Sequence, residues 1–260
     1  MKLTVLGPFS AAIDGVPIVP TAAKPRQLLA LLAVQAGQVV TVPSVIEEVW
    51  GAAASPKAHV SVQTYVLRLR TFIGRALGDP AAAREVLVTR PGGYALLTGP
   101  DTVDAHVYDR LCAEAQTAVE RGDDARGARL FRTALELWHG EAFDGVRTGA
   151  LLGLEAMRLE QSRTGVLERR IAAELRLGAH ERLLPELASL TTGHPHHEAL
   201  QALYMTALDR SGRPGGALAV YDVLCHRLDE RFGLLPSLEL RRLADDVRAR
   251  ATASATAVRV

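Results

Sequence analysis

Ser61, Thr64, Leu67, Arg68, Thr71 and Arg75 share one uninterrupted stretch, KAHVSVQTYVLRLRTFIGRAL (57–77), which holds four basic residues and no acidic one. These side chains suit the edges of nucleic-acid bases. Threonine and leucine methyl groups can contact the C5-methyl of thymine, and an arginine can donate to guanine O6 and N7 together. An ordinary exposed helix face carries Glu with Lys or Arg three or four residues apart, pairs that stabilise the helix. Here no acidic residue occurs from Val49 to Gly78, which removes the groups that would repel a phosphate. At about 100° per residue, Val62, Val66, Leu69 and Ile73 gather on one arc flanked by Tyr65 and Phe72, and the Ser/Thr/Leu/Arg set takes the opposite face. The stretch is expected to be a helix that packs on the first face and reads DNA with the second. A basic structural helix beside a sheet is the plainer alternative, and the order of the neighbouring elements speaks against it.

Those neighbours are small. KLTVLG, FSAAIDG and VPIVP are short β-type runs divided by Gly, Pro and Asp-Gly turns, which predicts a small antiparallel sheet. KPRQLLALLAVQAG has leucines at helical spacing, Pro25 in its first turn and a closing glycine. VVTV reads as a strand, PSVIEEVWG as a short helix and GAAASPK as the loop before the reader helix. EVLVTRPGGYALL then reads as a hairpin with a Pro-Gly-Gly turn. Sheet, helix, strand, helix, helix and hairpin make a winged helix-turn-helix whose hairpin is the wing. Arg90, with Thr89 before it, stands beside the wing tip, placed to enter a minor groove or touch a phosphate. Lys24 and Arg26 open the first helix, where side chains and free N–H groups can meet a phosphate. Trp50, at the end of an apolar helix, is expected in the core.

TGPDT (98–102) separates this region, 1–98, from a second in which nearly every segment reads as helix. LGAHERLLPELASL and SGRPGGALAVYDVL align with Gly178 over Gly212, Leu184 over Leu218 and Leu190 over Leu224, an offset of 34 residues and the tetratricopeptide period. The expected fold is an α+β winged helix-turn-helix domain over 1–98, an all-α tetratricopeptide-like repeat domain over 103–250 and a tail over 251–260. The net charge of +1 conceals a split between these parts. Residues 1–98 hold nine Lys and Arg against five Asp and Glu, and the remainder holds 21 against 24, so only the first part is expected to face a polyanion.

Other functions find little footing. Cys112 and Cys225 lie in apolar helical patterns, which argues against a disulfide framework and for a reducing cytoplasm. The apolar start MKLTVLGPFS is too short for a signal peptide and breaks at Gly7-Pro8, and no apolar run reaches membrane-spanning length. His194, His196 and His197 lack a Cys or carboxylate at ligand spacing, so no metal is expected. No G-x-S-x-G, H-E-x-x-H or dinucleotide fingerprint occurs, and neither catalytic residue nor cofactor is expected. A tetratricopeptide adaptor, or a repressor built from the same parts, is the rival expectation.

The chain resembles the SARP family of actinobacterial antibiotic-pathway activators over nearly its whole length. LTVLGPF, KPRQLLALLAVQAGQVV, VIEEVWG followed by SVQTYVLRLR, and VLVTRPGGYAL carry the likeness in the first part. LWHGEAFDGV, LERRIAAELRLGAH and the segment from LYMTALDRSGRPGG to LPSLELRRL carry it in the second, as a bacterial transcriptional activation domain. Each segment is weakly specific and the set is specific. The resemblance implies an OmpR-like winged helix that binds direct repeats in double-stranded DNA near a pathway promoter, possible pairing of two protomers side by side on that DNA, and a helical domain that helps recruit RNA polymerase. Larger relatives add an ATPase module, and no G-x-x-x-x-G-K-[S/T] occurs in this sequence. His59 and Leu67 depart from the small or polar residues expected at matching positions.

Overall fold

The computed structural model describes residues 1–257, the last four of them as backbone only, so the end of the expected tail, 258–260, lies outside the described residues. The chain divides into two compact units, Met1–Glu114 with Leu130–Gly165, and Ala115–Arg129 with the chain from Val166 onward.

The first unit begins with β1 (Lys2–Thr4), β2 (Ser10–Ile13) and β3 (Val16–Pro17), an antiparallel sheet in that order. Leu3 faces Ala11 across it, and the Asp14-Gly15 turn takes positive φ at both residues, as a tight hairpin requires. Then come α1 (Ala23–Val34), β4 (Val40–Thr41), α2 (Val42–Trp50), a single 3-10 turn at Gly51–Ala53, and α3 (Ala58–Leu77). Pro43 and the Thr41 hydroxyl, which accepts from Ser44 N at 3.2 Å, start α2. After α3 a one-turn helix, α4 (Ala83–Val86), leads into β5 (Leu87–Arg90) and β6 (Gly93–Leu96). β6 is the middle strand of a second antiparallel sheet, β4-β6-β5, which roots the wing beside the start of α2. The order expected from the sequence is present, with α4 and the 3-10 turn in addition.

Leu28, Leu29, Leu31 and Leu32 of α1 are buried together with Val62, Val66, Leu69 and Ile73 of α3, and α1 packs against α3. That burial, not helix propensity, fixes α3, since each fully buried Leu or Val side chain contributes about 1.5–3 kcal/mol. Thr102 and Val103 are tied back to the first sheet, with Leu3 N donating to Thr102 O at 2.8 Å. The unit closes with α5 (Asp104–Glu120), α6 (Asp124–Leu135) and α7 (Ala150–Arg176) as far as each belongs to it.

The second unit holds the rest of α5, α6 and α7, followed by α8 (His180–Gly193), α9 (Glu198–Arg210), α10 (Pro214–Phe232) and α11 (Leu238–Ala257). The 34-residue offset has a physical counterpart. Gly178 and Gly212 follow α7 and α9 with φ of 85° and 74°, the left-handed conformation that ends a helix and that glycine adopts without penalty. Leu183 and Leu187 bury against Ile171, Leu175 and Ala207, and Leu224 and Leu228 bury against Met205, Leu208 and Ala244. Each helix pair thus covers the apolar face of the next, as stacked repeats must.

Candidate nucleic-acid interface

α3 divides as its periodicity predicts. Val62, Val66, Leu69 and Ile73 are at most 2% exposed, whereas Thr64, Leu67, Arg68, Thr71 and Arg75 are exposed and Ser61 is half-buried at the margin. The exposed set lies together on one face. Leu67, at 63% exposure, packs on nothing in the core. Thr64 Oγ1 donates to Val60 O at 3.1 Å and Thr71 Oγ1 donates to Leu67 O at 3.0 Å. The side chains of Arg68 and Arg75 form no hydrogen bond or ion pair among the described residues, and the first turn of α3 carries no acidic residue. The face therefore offers two free guanidinium groups and a set of methyl groups, with no carboxylate to neutralise or repel.

The wing is fastened to α3 by a residue that sequence reasoning missed. Arg70 Nε and Nη2 donate to Leu87 O at 2.9 and 2.8 Å, and Nη2 donates to Thr89 Oγ1 at 2.9 Å. Burial, and then the neighbouring Arg84, hold the Arg70 guanidinium below its ordinary pKa. Thr89 is exposed and its hydroxyl accepts this bond, while Arg90 beside it is exposed and its side chain makes no hydrogen bond among the described residues. Gly92, with φ of 80°, turns the wing, and its carbonyl accepts from Val42 N at 3.0 Å. Arg70 thus sets the spacing between the α3 face and the wing tip.

At the start of α1, Lys24 and Arg26 behave differently. The Lys24 ammonium lies 4.8 Å from the centroid of Trp50, and Trp50 stacks on Tyr65 of α3 with centroids 5.8 Å apart and rings within 7° of parallel. Trp50 is half-buried, not in the core as its sequence position suggested, and it links α1, α2 and α3 through their aromatic and cationic side chains. Arg26 donates to Pro20 O at 3.1 Å, Gly145 O at 3.0 Å and Thr21 O at 3.3 Å, so three carbonyls hold its guanidinium.

Two acids that would otherwise lower the positive potential are turned inward. Glu48 of α2 is 2% exposed and accepts from Gly149 N, Leu151 N and Leu152 N at 2.6, 2.8 and 3.1 Å, capping α7, and from Gln27 Nε2 at 2.8 Å. Asp104 accepts from Val5 N and Leu6 N at 2.9 to 3.1 Å at the start of α5. Both carboxylates serve the fold.

In the second unit, His197 Nε2 lies 3.2 Å from Glu168 Oε1, a carboxylate the sequence did not place near it. No group of three metal-ligating side chains occurs among the described residues, and no helix among them is long and apolar enough to cross a membrane.

Residues 103–248 match the family described as Bacterial transcriptional activator domain, and residues 17–96 match Transcriptional regulatory protein, C terminal. Regulatory protein DnrI of Streptomyces peucetius is 44% identical over 245 residues, which cover 94% of this chain and 90% of DnrI. The chain belongs to the SARP family. As a SARP-family transcriptional regulator it also resembles Regulatory protein AfsR of Streptomyces griseus, 34% identical over 94% of this chain and 24% of AfsR. A solved structure of Mycobacterium tuberculosis EmbR in complex with a low-affinity phosphopeptide matches with a TM-score of 0.88 at 29% identity, over 96% of this chain and 65% of that one. The first matched segment of this SARP regulator, 17–96, contains α3 and the wing, so the free arginines lie within a regulatory domain known by family.

Proposed function

We propose that this SARP regulator is a sequence-specific DNA-binding activator of a secondary-metabolite (antibiotic) biosynthetic gene cluster. It binds direct repeats near the promoter and helps recruit RNA polymerase through its helical half. The observation that carries the DNA reading is the exposed face of α3, which has no acidic residue and presents Arg68 and Arg75 without partners. In this reading α3 enters the major groove, with Thr64, Leu67, Arg68 and Thr71 at base edges and Ser61 and Arg75 at its margins. Arg90 and Thr89 place the wing on the adjacent backbone or minor groove, and Lys24 holds a phosphate from the start of α1. Arg26, held by three carbonyls, serves chiefly to fix that start and contributes a weaker phosphate contact. Two protomers lie head to tail on successive repeats, so no stable dimer in solution is required. The protein acts in the cytoplasm without catalytic chemistry, cofactor or metal.

Footprinting of the full chain on genomic DNA, followed by gel shift on the protected segments, tests this reading. Protection of paired, equally spaced half-sites in promoters of a biosynthetic cluster is the expected result. Indifference to DNA would leave a helical-repeat adaptor in its place.

A further inference from the structure

The exposed face of α3 contains a narrower pattern than the set of polar readers. Val60, Thr64, Leu67 and Thr71 recur at spacings of four, three and four, which places all four within about 60° of one another on the helix, opposite the buried arc. Val60, in the first turn of α3, and Leu67, in its middle, are 50% and 63% exposed. Alternating with them are two threonines whose hydroxyl hydrogens are already engaged, Thr64 with Val60 O and Thr71 with Leu67 O. Each hydroxyl has one hydrogen, so both threonines are left with a methyl group and an acceptor-only oxygen. The stripe thus consists of apolar carbon and hydrogen-bond acceptors, with donors on its flanks, Arg68 and Arg75 on one side and Gln63 on the other.

An exposed apolar stripe on a surface otherwise prepared for phosphates calls for an apolar partner inside a polyanion. The major groove has one, the C5-methyl of thymine, and beside it in an A·T pair stands the adenine N6 amino group, a donor that an acceptor-only oxygen can meet. The cation set that flanks the stripe, with no acidic residue from Val49 to Gly78, supplies the matching charge.

We propose that Val60, Thr64, Leu67 and Thr71 form a thymine-methyl reading stripe, so that this regulator selects its operator in part by the methyl groups of A·T pairs. The proposal rests on the DNA-binding reading above and goes beyond it, because Val60 and Leu67 become specificity residues with no hydrogen bond to offer. It also gives the apolar Leu67 a reason to stand where a small or polar residue is expected.

Replacing thymine by uracil deletes the C5-methyl and keeps charge, pairing and every groove donor and acceptor. The full chain is used to select duplexes from a randomised thymidine library, and the preferred duplex is then synthesised with 2′-deoxyuridine at each thymidine. Dissociation constants on both duplexes and on a scrambled one are read by fluorescence anisotropy. Burying one methyl group is worth about fourfold in affinity, so loss of two or more should weaken the uracil duplex about tenfold or more relative to the thymine duplex. Leu67→Ala, and separately Val60→Ala, should bring the ratio of the two constants toward one while leaving the thermal unfolding midpoint near that of the unaltered chain. Equal binding of the two duplexes, with discrimination against the scrambled one intact, overturns the methyl stripe and spares the DNA reading. Enrichment of no duplex at all overturns both.

Discussion

α3 and α11 are both 20 residues long, yet they treat charge in opposite ways. α11 carries Glu239, Asp245 and Asp246 among its arginines, and Arg248 pairs with Asp245 at 2.9 Å, as a helix that faces water does. α3 carries three arginines and no acid; Arg70 bonds to β5, and the other two make no bond. Ion pairs at helical spacing are worth about 0.2–0.5 kcal/mol each, so α3 gives up little stability by lacking them. What it gains is a surface whose positive potential is not cancelled locally. On this chain absent carboxylates are as informative as present arginines.

The comparison breaks most visibly by charge reversal. Arg68→Glu is expected to weaken binding of the preferred duplex by about 100-fold or more, through a lost bidentate donor and a new repulsion of phosphate. Arg241→Glu on α11 should leave it within about twofold, since the account gives that helix no part in DNA contact. Gel shifts of both variants decide this, and a similar loss for the two would show that the charge of α11 matters as much as that of α3.

Next in size is an effect on stability. Glu48→Ala leaves the buried N–H groups of Gly149, Leu151 and Leu152 without their acceptor. The expected cost is about 3 kcal/mol, a fall in Tm of about 10 °C in a thermal melt. An unchanged Tm would mean that water replaces the carboxylate without penalty.

The smallest effect separates Lys24 from the readers. Lys24→Ala should weaken specific and scrambled duplexes alike by less than about tenfold and flatten the log–log salt dependence by about one unit. Its exposed cation–π contact with Trp50 is worth only about 0.5–1 kcal/mol, so the melt should fall by no more than a few degrees.

α3 and its buried face were legible because their information is local. Val62, Val66, Leu69 and Ile73 repeat at helical spacing, and the acid-free interval can be counted along the chain. The paired turns at Gly178 and Gly212 were legible for the same reason. Arg70 was not, because its partners Leu87 and Thr89 belong to another strand, and nothing in VLRLR separates an arginine bound to a strand from one left free for DNA. Glu48 was harder still. A carboxylate in a helix reads as solvated, and the N–H groups that bury it lie more than one hundred residues downstream. That Arg26 also donates to Gly145 O was not legible either, because that carbonyl lies 119 residues away. α4 has four residues, too few to establish any period.

Whether α3 reads bases is decided by Arg68→Ala. Dissociation constants of the unaltered and Arg68→Ala chains are measured on the preferred duplex and on a scrambled one across a salt series, with circular dichroism confirming the fold. The expected result is a loss of about 1–3 kcal/mol on the preferred duplex, a much smaller loss on the scrambled one and relaxed discrimination at one or two base pairs. Equal losses on both duplexes, with a flatter salt slope, would make Arg68 a phosphate contact and contradict base reading by this face.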